Sequence, residues 1–430
     1  MFRFSKILII FLTLFVSAET THCQQYWFRI PSPTTKWLKR CHFPDPVNGW
    51  VVGDSGVILH TANRGQTWVL QNSTVDFFID DVYFLNERLG WCAANDFSHN
   101  RAYTIKTTNG GINWTSVQLP DTTIVVYTVY FTDSLTGFVG AFGGLGGGMI
   151  LRTTNSGLNW TQSEIDTAVC SFLPIYKIDF RGLAGLACGG IFDIQGAAWT
   201  STDGGLRWKA QCVAPEPIFN IMWLDSLTAI GTGGDPEFFS SIIRTSDGGN
   251  NWVYDTTGRW GIGQNLAYRT PADVWIPLGF SARWAHSIDS TRTWLEELSP
   301  DSSSIYAAVF LDTLTGWSFG TGGAIYRYDT SMIGVKNNQN YLPREIKLYQ
   351  NFPNPFNPKT TIRFEVIKTS RVKIILYDLL GKELRLLTDE IRTPGIYSVS
   401  FSSAGLSSGV YFYRIQTGAY SESKKMVILK

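Results

Sequence analysis

The chain has 430 residues, 44% of them hydrophobic and 17% charged, and its 36 lysines and arginines nearly cancel 35 acids to a formal charge of +1. That length exceeds one ordinary domain, and that apolar content excludes a disordered chain. The charge is uneven: residues 342–430 hold 14 basic against 7 acidic groups (+7), whereas residues 19–341 hold 20 against 28 (−8). An acidic larger part excludes nucleic acid as a partner, because phosphate binding needs a basic footprint.

From the amino end, Arg3 and Lys6 precede an apolar run from Ile7 to Val16 and the small residues Ser17 and Ala18. This is the layout of a secretory signal peptide over residues 1–18, with cleavage expected after Ala18 or as late as Cys23. No later apolar stretch reaches about 18 residues, so no transmembrane segment is expected. Six cysteines (Cys23, Cys41, Cys92, Cys170, Cys188 and Cys212) in an exported chain are compatible with disulfides. Cys170, Cys188 and Cys212 fall within about one repeat and supply candidates for one bridge; none has CxxC spacing, so no metal is expected.

An eight-residue phrase ending in tryptophan then recurs six times: TANRGQTW, TTNGGINW, TTNSGLNW, STDGGLRW, TSDGGNNW and SIDSTRTW. Its tryptophans (Trp68, Trp114, Trp160, Trp208, Trp252 and Trp294) lie 46, 46, 48, 44 and 42 residues apart. Such a period marks an array whose units bury their apolar faces against one another. A second marker runs out of phase, beginning Gly49-Trp50, Gly90-Trp91, Gly137-Phe138, Gly185-Leu186, Ala229-Ile230, Val274-Trp275 and Gly316-Trp317, seven in all. Four short strands per period form the blade of a β-propeller. The expected fold is all-β: a seven-bladed propeller over residues 24–335, followed by a small C-terminal β-sandwich. The seventh repeat lacks a tryptophan box and a last strand, whose unpaired edge would invite aggregation. Trp27 to Pro31 has the form of the missing strand, so the N-terminal strand is expected to close the ring.

Turn chemistry accounts for the phrase. Asn63, Asn109, Asn155, Asp203, Asp247 and Asp289 stand where an Asx-turn needs a side-chain acceptor. Gly65, Gly111, Gly157, Gly205 and Gly249 supply a positive φ, and each tryptophan buries its ring between blades. The box is therefore expected to be a structural hairpin staple. The residue just before it is basic or imidazole in most repeats: His60, Lys106, Arg152, Arg244, His286 and Arg327. Equivalent positions in a ring face one way, so these residues form a candidate anion-binding rim.

The boxes resemble Asp-box (BNR) repeats, and the combined cadence is similar to propellers of the photosystem II stability and assembly factor type across residues 24–335. After a polar linker at 336–344, residues 345–430 contain NFPNPFNP, ILYDLLGKEL, GLSSGVYFYRI and a final KKMVILK. Segments Thr361–Val366, Val372–Tyr377, Ile396–Phe401 and Val410–Ile415 alternate as strands. The motifs, with Asn354, Pro355, Gly409, Tyr411, Lys424, Lys425 and Lys430 in them, closely resemble the type A C-terminal sorting domain of the type IX secretion system. That resemblance implies a gram-negative bacterial cargo whose partner is the type IX machinery. It also implies removal of the tail within the linker and a cargo secreted or attached to the outer cell surface.

Catalytic chemistry is sparse. The five histidines show no ligand spacing, and the acidic pairs Asp80-Asp81 and Glu296-Glu297 read as solvated strand ends. Asp boxes and Phe28-Arg29-Ile30-Pro31 resemble sialidases, in which the arginine clamps a substrate carboxylate; a sialidase-like glycoside hydrolase is the alternative reading. The preferred expectation is a non-enzymatic, monomeric binding or structural module, with no catalytic residue and no cofactor. Its protein or glycan ligand would meet loops such as Asn95–Arg101 and Gly233–Phe239.

Overall fold

The computed structural model describes residues 26–144, 147–166, 170–236, 239–329, 346–351, 353–366, 368–378, 382–417 and 420–429. The expected signal peptide with its cleavage sites, Cys23, the 336–344 linker and Lys430 lie outside these residues. The chain divides into two compact units, Met1–Ile333 and Gly334–Lys430.

Among its described residues the first unit holds seven mainly antiparallel sheets. The first is Leu38–His42, Gly49–Gly53, Ile58–Thr61 and Val69–Gln71; the second is Phe78–Phe84, Gly90–Asp96, Arg101–Thr107 and Thr115–Gln118. The third is Thr123–Phe131, Gly137–Gly143, Gly148–Thr153 and Thr161–Gln162. The fourth is Ile175–Arg181, Ala184–Ile191, Gln195–Ser201 and Arg207–Ala214, with Glu164–Ile165 added in parallel. The fifth is Ile218–Trp223, Ala229–Gly234, Phe239–Thr245 and Val253–Trp260. The sixth is Ala267–Thr270, Asp273–Gly279, Arg283–Ser287 and Leu295–Leu298, with Ile262–Gly263 also on its second strand. The seventh is Ile305–Phe310, Gly316–Gly320 and Ile325–Tyr328, and its last strand comes from the other end of the chain: Trp27–Ile30 pairs antiparallel with Ile325–Tyr328, Trp27 opposite Tyr328.

The apolar clusters sit between sheets. Trp50 and Ile58 of the first sheet join Val82, Phe84 and Trp114 of the second. Trp91 of the second joins Val129 and Phe131 of the third, and Leu38 and Leu59 of the first join Phe319 and Ile325 of the seventh. Second strands are covered on both faces, as in Gly49–Gly53, Gly90–Asp96 and Asp273–Gly279. Their aromatic residue stacks on an aromatic of the next sheet's first strand: Trp50 on Phe84 (3.5 Å between centroids, 9°) and Trp91 on Phe131 (3.5 Å, 7°). Each buried ring contributes about 2–3 kcal/mol. The glycine of the Gly-Trp marker makes room for the ring of its own sheet's first strand. A Cβ on Gly90 would stand 2.5 Å from Phe84, and one on Gly137 2.5 Å from Phe131.

The join of the chain ends carries a buried acid. Glu297, on Leu295–Leu298 of the sixth sheet, is 6% exposed and accepts the main-chain N–H of Tyr26. Burial pushes its carboxyl up to about 9; the Tyr26 bond opposes this and the nearby Asp273 adds to it. The reading of Glu296-Glu297 as solvated fails at Glu297, because Trp27–Ile30 and its neighbour Tyr26 cover it.

The second unit packs a three-strand sheet (Ile346–Leu348, Lys359–Val366, Gly395–Ser402) and a four-strand sheet (Glu383–Arg392, Ser370–Tyr377, Gly409–Thr417, Tyr420–Ile428) around one core that includes Phe364, Leu376, Tyr413 and Met426. Glu383–Arg392 escapes the sequence reading because its side chains are exposed or half-buried throughout and so show no period of two.

Two outcomes follow. Gly90→Ala drives a methyl into Phe84 and is expected to lower stability by about 1–3 kcal/mol in urea unfolding. For Glu297, between the unfolded value of 4.5 and about 9 the native chain keeps a proton that the unfolded chain has released. Stability therefore falls as pH rises through that window, by at most about 1.4 kcal/mol per unit, and levels off above it. Glu297→Gln is expected to unfold at a higher temperature than the parent at pH 8, with little difference at pH 5.

Candidate functional site

First strands of neighbouring sheets pack against one another. Six of the seven share a β-bulge at one equivalent position: the register skips Lys39, Asp80, Tyr127, Tyr176, Phe219 and Tyr306. In the sixth sheet the irregularity falls elsewhere, between Tyr268 and Thr270. A bulge re-aims the side chain it inserts, and these six residues form a collar at one end of the first strands. Tyr176 lies between Tyr127 (4.8 Å) and Phe219 (4.9 Å, 3°), and Phe192 extends the row at 5.7 Å. Across from them Tyr306 meets Trp37 at 4.6 Å, and Trp37 meets Phe78 at 5.7 Å. Lys39 lies over the Phe78 ring and pairs with Asp80.

One residue further along each strand stand Arg40, Asp81, Thr128 and Lys177. The Asp81 carboxylate receives Lys177 Nζ at 3.0 Å, Thr128 Oγ1 at 2.7 Å and the Val129 N–H at 3.3 Å. Burial alone would raise its pKa, but Lys177 and Arg40 hold it below the usual carboxylate range. Arg40 donates to the carbonyls of Gln264 (3.0 Å) and Tyr306 (3.5 Å). Burial lowers His42, the next alternate residue, to about 4, which leaves it neutral at pH 7. The expectation that Asp80-Asp81 is a solvated strand end is overturned: both are buried, on a strand enclosed by its neighbours. Asn95, expected in a contact loop, is buried and ties Asp80 (2.5 Å) to the Val126 carbonyl (2.8 Å). Sequence reasoning missed this cluster, since its members lie up to 137 residues apart, from Arg40 to Lys177.

The six boxes repeat one network. In the first, Thr61 Oγ1 donates to Asn63 Oδ1 (2.9 Å) and accepts the Gly65 N–H (2.9 Å), while Asn63 Oδ1 accepts the Thr67 N–H (2.9 Å). The same three bonds join Thr107, Asn109, Gly111 and Asn113, then Thr153, Asn155, Gly157 and Asn159. They recur at Ser201 with Asp203, Thr245 with Asp247, and Ser287 with Asp289. The five box glycines have φ between 80° and 86°; the sixth box puts Thr291 there at 67°. Trp68, Trp114, Trp160, Trp208 and Trp294 are buried and Trp252 half-buried. The leading hydroxyl was legible as a repeated Ser or Thr, but the sequence reading gave it no role.

Of the basic residues before the boxes, Lys106 and Arg244 reach a neighbouring sheet. Lys106 lies over Trp91 and donates to Ser156 Oγ of the third sheet's box (2.6 Å); Arg244 donates to the Thr291 carbonyl of the sixth sheet's box (2.9 Å). His60 stacks on Trp50, and His286 stacks on Trp275 and meets Asp273 at 3.0 Å. Arg152 is half-buried, and Arg327 pairs with Asp329.

Arg29, the candidate carboxylate clamp, stands on the last strand of the seventh sheet, bonded to the Gly322 carbonyl (3.0 Å) and paired with Asp301. It is not on a first strand. Tyr254, on the fifth sheet's last strand, donates to Glu216 at 2.6 Å; burial and Glu216 raise the phenol's pKa, opposite to what a nucleophile needs. Cys170 is bridged to Cys212, and Cys41, Cys92 and Cys188 are free. No cluster of metal-ligating groups occurs among the described residues.

In the tail, motifs from opposite ends meet. Asn354 Oδ1 accepts the Val427 N–H (2.8 Å), and Phe356 N–H donates to the Val427 carbonyl (3.1 Å). Gly409 pairs with Ile428, Tyr411 with Met426, Phe412 with Lys425 and Tyr413 with Lys424. Pro355 follows a cis bond.

Residues 350–429 match the family described as the secretion system C-terminal sorting domain, so the chain carries that domain at its C-terminus. A curated relative, the photosystem II assembly lipoprotein Ycf48 of Picosynechococcus sp., is 31% identical over 112 residues, which are 25% of this chain and 32% of the relative. The match thus spans about a third of that protein. Among solved structures, YCF48 bound to D1 peptide is similar at TM-score 0.56 and 22% identity, over 71% of this chain and 97% of the other. YCF48 from Cyanidioschyzon merolae gives 0.55 and 19%, over 71% and 100%. The GH74 enzyme of Niastella koreensis gives 0.56 and 12%, over 93% and 74%. The first unit is a β-propeller of the Ycf48 type in fold. No helix among the described residues is long and apolar enough to cross a membrane.

Asn354→Ala removes the acceptor for the Val427 N–H and is expected to destabilise the tail locally by about 1–2 kcal/mol. Hydrogen exchange of the Val427 amide in the full chain would then be roughly 5- to 30-fold faster, with Asn354→Asp close to the parent.

Proposed function

We propose that this protein is an exported seven-bladed β-propeller, closed by its N-terminal strand, that binds a protein partner at the collar of its first strands and performs no chemistry. In this reading each of the seven sheets is a blade, and Trp27–Ile30 completes the last one. Bonds to the boxes, including those from Lys106 and Arg244, tie blades to their neighbours, leaving the collar for recognition. The type IX machinery of a gram-negative bacterium takes the chain out through its sorting domain. The tail is cut within 336–344, and the propeller acts outside the cell or on its surface.

The observation that carries the reading is the repeated bulge, which falls on six residues, four of them aromatic, at the same end of the first strands. Aromatic residues on a rigid frame favour protein recognition. Likeness to a propeller solved with a peptide points the same way. Glycoside hydrolysis is the second reading, favoured by the GH74 likeness. Against it, a glycosidase needs one carboxyl kept protonated beside a second carboxylate. At the collar Asp80 and Asp81 are each paired with a lysine and Asp81 is held in its charged form, while Glu297, kept protonated near Asp273, is buried on a last strand and bonded to the Tyr26 N–H.

The test compares the exported chain with its Tyr176→Ala, Phe219→Ala double variant as baits in the producing bacterium's surface fraction. A defined partner retained by the parent and lost by the variant is expected, with no turnover of fluorogenic glycosides. Equal capture by both, or turnover by the parent that the double variant changes, overturns the proposal.

A further inference from the structure

Beneath the collar the charges do not balance pair by pair. Arg40 is 8% exposed, yet both acceptors it reaches are main-chain carbonyls, each bonded to Nη1. No carboxylate among the described residues pairs with it, and no other acceptor there is bonded to its guanidinium. Lys177 uses its ammonium on Asp81 alone, although it carries three donors. Asp81 in turn is engaged by Lys177, Thr128 and Val129 through one oxygen, Oδ2. Asp179, the other acid on that strand, accepts the main-chain N–H groups of Trp223 (2.8 Å) and Phe180 (3.0 Å). Lys39 and Asp80 are paired with each other at the level above.

Arg40 and Lys177 thus share one carboxylate, Asp81, whose charge both stabilise, and two buried cations against one such anion are costly, because desolvation disfavours the charge and Arg does not release its proton. Two cations with spare donors, each one residue along its strand from a collar position, Lys39 for Arg40 and Tyr176 for Lys177, complement a planar anion joined to an apolar body. We propose that this pocket is a carboxylate site, in which one carboxylate entering past Tyr176 and Phe219 is held between Arg40 and Lys177. The planar fork of Arg40 suits one face of a carboxylate, and Lys177 supplies a point charge. The inference deepens the collar-binding proposal and rests on it. The carboxylate belongs either to a free small acid or to an acidic side chain of a partner.

The test is calorimetric titration of the full exported chain, at constant ionic strength set with sodium chloride, with sodium benzoate, sodium acetate and the blocked dipeptides N-acetyl-Asp-Phe-amide and N-acetyl-Asn-Phe-amide. Saturable binding of benzoate, tighter than acetate, is expected if the acid is free. Tighter binding of the Asp dipeptide than of benzoate is expected if the acid is a partner's side chain. Either way Lys177→Gln, a partly exposed position, weakens the bound probe at least ten-fold and Lys177→Arg restores it. Absence of saturable binding by every acid, equal binding of the Asp and Asn dipeptides, or unchanged affinity in Lys177→Gln overturns the proposal. The Asp and Asn comparison uses the unaltered chain, so it decides even where Lys177→Gln fails to fold. A chain that ignores these acids yet still captures a partner through Tyr176 and Phe219 loses the carboxylate site and keeps the collar.

Discussion

The fold depends on stacking between one sheet's second strand and the next sheet's first strand. Trp50 on Phe84 and Trp91 on Phe131 place flat rings at 3.5 Å where both strands are otherwise covered. No sheet of this unit could bury such rings alone, so each needs a neighbour on both sides. The Gly-Trp marker follows from this constraint. The tryptophan fills the gap between sheets, and the glycine leaves space for the aromatic of its own sheet's first strand. A larger residue at Gly90 or Gly137 would separate the layers that the stack brings together.

The two ends of the sheets then take different duties. Antiparallel order puts the box turns at the end opposite the start of each first strand. At the box end several side chains bond across to the next sheet's box. Trp317 Nε1 donates to the Arg64 carbonyl (2.9 Å), Trp91 Nε1 to the Ser156 carbonyl (3.2 Å) and Gln71 Nε2 to the Gly110 carbonyl (2.8 Å), each reaching a box of another sheet. Lys106 and Arg244 act in the same manner. Cations bound this way serve the joins between sheets at two of the six positions expected to form a rim.

What was legible in the sequence was what is local. A box closes its network within seven residues, so Asn63 and Gly65 announce their roles to anyone who knows turn chemistry. The Trp27–Ile30 segment was legible because its form repeats that of strands following the boxes. The collar was not legible, since a bulge shows only against the register of a partner strand. Asp80-Asp81 looked like a solvated strand end because their charge partners, Lys39 and Lys177, lie 41 and 96 residues away. Glu297 was misread for the same reason: its cover comes from Tyr26, at the far end of the chain. In the tail, Glu383–Arg392 was overlooked because an edge strand with no strongly buried face has no alternation to read.

This asymmetry between local staples and distant clusters bears on where new function can arise. Boxes constrain one another through neighbouring sheets, so a change at Ser156 disturbs Lys106 and Trp91 together. Collar residues answer to fewer partners. Tyr127, Tyr176 and Phe219 touch mainly each other, and the bulge that presents them is held by backbone pairing on either side. Their side chains can therefore vary without loosening the stacked rings below, as loops vary on other rigid frames. Arg40 and Asp81 sit at the boundary between these regimes. They are buried deeply enough to affect folding and stand one residue along from the bulge positions, so a change there couples the collar to stability.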